Sequence, residues 1–221
     1  AAALKCSAGM VKIQTVEANR VPLQTLLPEA MITCDFDESK NKRMLEWCDV
    51  LVIGPGAGSK CTEQRACSVV SVKSCYVWKI SCFWMQIGLN LLALHEDWKR
   101  FIGENVIVTP HIGEMSRLCG KSIGDIQDCL VQTAFDYAKE TKAVCVLKDA
   151  CTVVSGASEE RYLNISGNAG MATAGSGDVL SGVIAGVLCM YLKAERKPSM
   201  AWWQPLVYMF MGLPVIWRLK Q

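Results

Sequence analysis

The stretch Asn164-Ile-Ser-Gly-Asn-Ala-Gly-Met-Ala-Thr-Ala-Gly-Ser-Gly-Asp178-Val-Leu-Ser-Gly-Val-Ile-Ala-Gly186 decides the fold of this chain. It begins as a loop holding Gly167, Gly170, Gly175 and Gly177. Val179, Leu180, Val183, Ile184 and Val187 then recur at helical spacing. The pattern predicts a glycine-rich loop that opens into an amphipathic helix. Backbone N–H groups converge in such a loop, and a helix start adds unpaired donors and partial positive charge. That combination attracts phosphate. Asp178 falls in the first turn, where a carboxylate is tolerated and can face the anion's neighbour. From the residues alone two readings stand: an anion cradle with a base beside it, or a capped loop whose small residues serve helix packing.

Working outward, 221 residues with 51% hydrophobic content suit one α/β domain with an ample core. A net charge of +2 supplies no dominant electrostatic partner, so nucleic acid is not expected. The twelve cysteines include no Cys-x-x-Cys pair and match no zinc spacing. No secretory signal opens the sequence, so free thiols in a reducing cytoplasm are the expectation. The apolar run Pro205 to Trp217 is shorter than the roughly 20 residues of a membrane span, and no membrane partner is expected.

Asp49–Ile53 and Ala143–Leu147 are short, branched and continuously apolar, the mark of buried parallel strands. Gly54-Pro-Gly-Ala-Gly58 follows the first at once, at the carboxyl edge where α/β sheets bind ligands; an ordinary βα turn would read the same. Lys148 follows the second directly, either as a mobile cation within reach of a phosphate or as a solvated loop lysine. Val106-Ile-Val-Thr-Pro110 is a further strand, and Pro110 is expected to end its ladder so that His111 leaves it. Glu114 begins the next helix and either caps it or holds a metal-bound water, capping being the expectation. Other predicted strands are Met10–Thr15, Met31–Cys34, Thr152–Ser155 and Arg161–Ile165. Predicted helices are Glu38–Trp47, Leu89–Leu94 and one from Ile123 to Thr141 with Ile126, Leu130, Ala134 and Tyr137 on one face.

Gly170-Met-Ala-Thr-Ala-Gly-Ser-Gly-Asp-Val-Leu-Ser-Gly182 resembles the signature of the ADP-dependent NAD(P)H-hydrate dehydratase family almost letter for letter. Gly54-Pro-Gly-Ala-Gly58, Thr109-Pro-His-Ile-Gly-Glu-Met115 and Val146-Leu-Lys-Asp-Ala-Cys-Thr152 agree with it in order and spacing. Small-molecule kinases of the same fold share only the Gly-x-Gly-Asp part. The resemblance implies a ribokinase-like three-layer α/β fold, with a mostly parallel central sheet and helices on both faces, formed as one incomplete domain over residues 1–221. It implies ADP-dependent dehydration of (S)-NADH-hydrate and (S)-NADPH-hydrate in the cytoplasm, with ADP or ATP as co-substrate and Mg²⁺ on the phosphates. Asp178 is implied as the catalytic base, with Gly56, Gly58 and His111 at the substrate. Lys148, Asp149, Ala150, Cys151, Thr152, Gly175, Ser176 and Gly177 would hold the nucleotide, and no residue set marks a dedicated metal site. A homo-oligomer and a fused or separate epimerase are both compatible with the family. The rival readings are a vitamin-precursor kinase of the same fold and an inactive, frame-damaged product.

Two stretches depart from the family pattern. Residues 67–87 carry no clean period, and the Asp-Ala-Asp expected before Gly88-Leu-Asn-Leu-Leu92 is missing. Phe83-Trp-Met-Gln-Ile87 must be encoded TTY TGG ATG CAR ATH. One base earlier this reads Phe or Leu, then Leu-Asp-Ala, then Asp or Asn, which is the missing motif. Met209 to Lys220 behaves the same way, and five of the seven tryptophans fall in or just before these two regions: Trp78, Trp84 and Trp217 within them, Trp202 and Trp203 shortly before the second. Ala1-Ala-Ala-Leu-Lys reads as the tail of a helix, so an N-terminal strand and Gly-rich turn are expected to precede it. Resequencing the coding DNA is expected to expose frame changes flanking both stretches. One clean frame that encodes the same tryptophans in intact homologous loci would refute this.

Overall fold

The computed structural model describes residues 1–54, 81–84, 87–94, 102–156, 161–165 and 169–194. The chain enters through a short helix α1 (Ala2–Lys5), turns at Ser7, and forms β1 (Lys12–Gln14). A 3₁₀ turn and α2 (Arg20–Leu26) lead to β2 (Met31–Thr33), which pairs with β1 in parallel, Lys12 opposite Met31. Asp37 caps α3 (Glu38–Trp47) by accepting the N–H groups of Ser39 and Lys40, satisfying donors that a helix start leaves open.

β3 (Val50–Ile53), β4 (Ser81–Trp84), β5 (Val106–Val108) and β6 (Val144–Leu147) then lie side by side, all parallel. β7 (Thr152–Ser155) and β8 (Arg161–Asn164) continue the sheet antiparallel, in the order β3-β4-β5-β6-β7-β8. Successive side chains of a strand point to opposite faces, and the burial follows that rule. Val106, Val108, Cys145, Leu147 and Val153 pack in one apolar layer, and Ile107, Val144, Val146 and Val154 in the other. The first layer is roofed by α4 (Ile87–Leu94), α5 (Ile112–Cys119), α6 (Ile123–Asp128) and α7 (Leu130–Thr141), through residues such as Leu89, Met115, Ile126 and Tyr137. The second is covered by α8 (Ser176–Ala194) through Ile184 and Leu188. Both faces are thus covered, which is why β5 and β6 read as unbroken apolar runs. This is the expected three-layer α/β arrangement.

From Ser176 to Lys193, α8 is long and apolar enough to cross a membrane by length and composition. Part of its apolar surface has partners in the fold, while Val179 and Met190 stay exposed. Ile184 and Leu188 enter the core, while Gly182 and Gly186, one turn apart, receive α1. A Cβ on Gly186 would lie 2.5 Å from the Cys6 carbonyl oxygen, and one on Gly182 2.6 Å from Ala2 Cβ.

Three expectations need correction. The helix from Ile123 to Thr141 is two helices, because Cys129 (φ −129°, ψ 43°) leaves helical dihedrals. The sequence pattern hides this, since Ile126 and Ala134 stay buried on either side of the break. Residues Ser81–Trp84, in the stretch read as having no clean period, form a strand between β3 and β5, with Phe83 opposite Ile107. A ladder needs only backbone groups, which any frame supplies. Finally, β1 and β2 form their own two-stranded sheet rather than joining the larger one among the described residues.

Close helix packing generates a stability prediction. Gly186→Val is expected to lower the urea midpoint by the equivalent of about 1–3 kcal/mol, because α1 backbone cannot yield to the added branches. Gly9→Ala, where an added Cβ meets nothing within 4 Å, should leave the midpoint unchanged.

Candidate active site

Parallel pairing of β3 to β6 sends four carboxyl ends to one edge of the sheet. β3 ends at buried Gly54 (φ 124°); Gly56 and Gly58, beyond it, lie outside the described residues. β5 runs through Thr109 and Pro110 to His111, and β6 runs directly into Lys148. Pro110 was expected to stop this ladder. It lacks the donor but keeps the acceptor, and Lys148 N–H donates to the Pro110 carbonyl at 2.8 Å. His111 and Lys148 are therefore bridge partners, side by side at the edge.

His111 is the N-cap of α5. Its Nδ1 accepts the N–H groups of Gly113 (3.0 Å) and Glu114 (3.3 Å), and Glu114 Oε2 accepts the His111 N–H at 2.8 Å. The pair forms a reciprocal capping box. Glu114 caps as expected, whereas the capping role of His111 was not legible. Histidine is not among the residues favoured at an N-cap, so His-x-Gly-Glu gives no usual signature.

Lys148 is half-buried, and burial pushes its ammonium below the ordinary lysine value; Glu114 and Asp178 pull it partly back up. This coupling brings α5, β6 and α8 together around one cation. After Lys148, exposed Asp149 and Ala150 and partly covered Cys151 turn the chain into Thr152, at the start of β7 and opposite Asn164 on β8. Because β8 runs antiparallel to β7, Asn164 returns the chain to the same edge.

The glycine loop begins there. A 3₁₀ turn (Ala169–Met171) precedes Gly175, whose φ of 86° strains any side-chain-bearing residue. Ser176 N–H donates to the Thr173 carbonyl at 3.2 Å. The loop's own turn consumes it. No bond among the described residues takes the N–H of Gly175 or of Gly177. Asp178 is exposed in the first turn of α8, near enough to Lys148 to act on its charge. The structure thus brings His111, Lys148, Thr152, Gly175, Gly177 and Asp178 to one edge. A cavity of about 450 Å³ lies elsewhere, between the β1–β2 pair and α3, and is walled by residues such as Lys12, Arg43 and Trp47. None of the edge residues lines it.

The family model for NAD(P)H-hydrate dehydratase matches residues 1–205. The bifunctional NAD(P)H-hydrate repair enzyme Nnr of Escherichia coli is 37% identical over 187 residues, covering 85% of this chain and 34% of that one. Its counterpart in Thermofilum pendens is 48% identical over 154 residues, covering 69% and 28%. The chain therefore spans about a third of the length of these relatives. In fold it is similar to a ribokinase-like protein of Enterococcus faecalis (TM-score 0.74, 24% identity, 95% and 79% covered). A Bacillus subtilis structure described as an ADP/ATP-dependent NAD(P)H-hydrate dehydratase co-crystallized with ATP/Mg²⁺ aligns with a TM-score of 0.66 at 20% identity, over 100% and 82% of the two chains.

The Lys148 environment sets a pH dependence. In the unfolded chain Lys148 keeps its proton to higher pH than in the fold. Between its lowered value and 10.5 the unfolded state binds more protons, so this group makes stability rise with pH. Lys148→Met removes the contribution. Its denaturation midpoint should exceed that of the wild type by most at neutral pH, with the difference shrinking as pH approaches 10.5.

Proposed function

The chain belongs to the NAD(P)H-hydrate dehydratase family, and we propose that it carries that family's ADP-dependent dehydration of (S)-NADH-hydrate and (S)-NADPH-hydrate. One observation carries the reading. Asp178, first-turn carboxylate of α8, shares an electrostatic neighbourhood with Lys148, whose bridge partner is His111. A carboxylate, a cation and an imidazole lie near a helix start where no bond among the described residues takes the amides of Gly175 and Gly177.

The donor set fits a nucleotide. Gly175 and Gly177 offer N–H groups at a helix start, and Lys148 offers the charge that a terminal phosphate needs. Among the described residues no cluster of three His, Cys, Asp or Glu side chains could cage a metal ion, so Mg²⁺ would be held by the phosphates themselves. ADP, or ATP, supplies the phosphoryl group that makes the ring hydroxyl of the hydrate a good leaving group. In this reading Asp178 accepts the hydroxyl proton on a carboxylate oxygen. The two amides stabilise charge on the transferring group, since preorganised donors contribute most where charge develops. His111 orients the nicotinamide half, and Lys148, Asp149, Ala150, Cys151 and Thr152 line the nucleotide side. Gly56 and Gly58 complete the substrate wall by family pattern.

The relatives are named bifunctional and are about three times longer than the matched portion. We assign their second activity to sequence this chain does not match, and we read the epimerase as a fused or separate partner.

Asp178→Asn is expected to lower hydrate turnover by about 10²–10⁴-fold, the range for a lost general base, with ADP affinity nearly unchanged. Turnover followed by NADH absorbance, beside ADP-induced thermal stabilisation, checks both halves. Undiminished turnover in Asp178→Asn would exclude the assigned role.

A further inference from the structure

His111 has two ring nitrogens, and the fold uses one of them. Nδ1 accepts from Gly113 N–H at 3.0 Å and from Glu114 N–H at 3.3 Å. Both donors need a lone pair on Nδ1, so the neutral ring carries its proton on Nε2. Half a turn of the ring would set a C–H group against the same two donors. Bare backbone lies beneath the imidazole: a Cβ at Gly113 would stand 3.0 Å from Cε1 and 3.3 Å from Nδ1. Glu114 fastens the other side. Its Oε2 holds the His111 N–H at 2.8 Å, while Oε1 lies 3.4 Å from Nε2. That separation is too long for a good hydrogen bond. The Nε2–H therefore stays available, on a ring 54% exposed, while the carboxylate beside it is 3% exposed.

We propose that Glu114 is a positioning residue, which fixes His111 as an Nε2–H donor, so that the ligand atom meeting this ring is a hydrogen-bond acceptor. A carboxamide, hydroxyl or phosphate oxygen satisfies this, and an N–H group does not. The proposal rests on the reading of His111 as a substrate residue and adds the ring's polarity and the residue that sets it. Glu114 touches neither ligand nor reacting atoms in this role. Its effect passes through the imidazole.

The test uses the full chain, ¹⁵N-labelled at histidine, with NADH as the probe; His95→Gln identifies the second histidine's signals. The wild type is expected to show a single Nε2–H tautomer at His111, and Glu114→Ala an averaged mixture. Dissociation constants for NADH should rise about ten-fold in Glu114→Ala, as for a lost charge-assisted hydrogen bond, and stay within about two-fold in Glu114→Gln, since glutamine also closes a capping box. In a His111→Phe background Glu114→Ala should cost nothing further, the signature of one residue acting through another. Additive losses, or an unchanged tautomer in Glu114→Ala, overturn the proposal. Should Glu114→Ala fail to fold, Gly113→Ala, which displaces the ring with Glu114 intact, must show the mixed tautomer and the weakened binding. Wild type that ignores NADH removes the substrate reading of His111, and the tautomer comparison then decides the role of Glu114 alone.

Discussion

The bond from Lys148 N–H to the Pro110 carbonyl, 2.8 Å long, is the constraint from which the rest of the edge follows. It carries the β5–β6 ladder one step past its last apolar pair and locks His111 beside Lys148. Beyond the His111–Lys148 bridge the chain leaves the sheet. A helix begins there at once, and its start needs partners for open N–H groups. His111 and Glu114 meet that need reciprocally. On the other strand Lys148 opens a short turn to Thr152, β7 runs away from the edge, and β8 brings Asn164 back to it. Asp178 arrives at the same place only because this return delivers the glycine loop there.

What the sequence made legible is what periodicity and motif order encode. β3 and β6 could be read because covered strands are continuously apolar. α3 was bounded correctly from Glu38 to Trp47, since Asp37 precedes it as a cap and Cys48–Asp49 open the next apolar run. β4 was not legible. Ser81-Cys-Phe-Trp84 has no period, and its place is set by the free edges of β3 and β5 on either side. The break at Cys129 escaped for the opposite reason, since the apolar stripe runs on across it. At the site, glycine spacing pointed to the loop before α8, but no spacing rule tells which amides a turn keeps for itself. Ser176 is spent within the loop, its N–H and its hydroxyl both bonding the Thr173 carbonyl.

The edge is where packing gives way to charge. All four residues of β6 are buried, and the next is a half-buried cation. By contrast, the buried hydroxyls left without a partner among the described residues, Thr133 Oγ1 and Tyr137 Oη, sit in α7 within an apolar layer. Burial there pushes the Tyr137 phenol above its ordinary value, and nothing nearby uses it. The polar groups of the edge are instead engaged with one another.

That engagement constrains what can bind. Among the described residues Lys148 already has two carboxylates acting on it, Glu114 and Asp178, so within this group of three negative charge exceeds positive before any ligand arrives. A bare polyphosphate would add two or more negative charges beside Asp178, and the amides of Gly175 and Gly177, being dipoles, offset only part of them. A nucleotide whose phosphates carry their own divalent cation would bring a smaller excess. On the proposed reading, the charges of the described edge residues would therefore favour a metal-complexed nucleotide over a free one, without any metal ligand supplied by the described side chains.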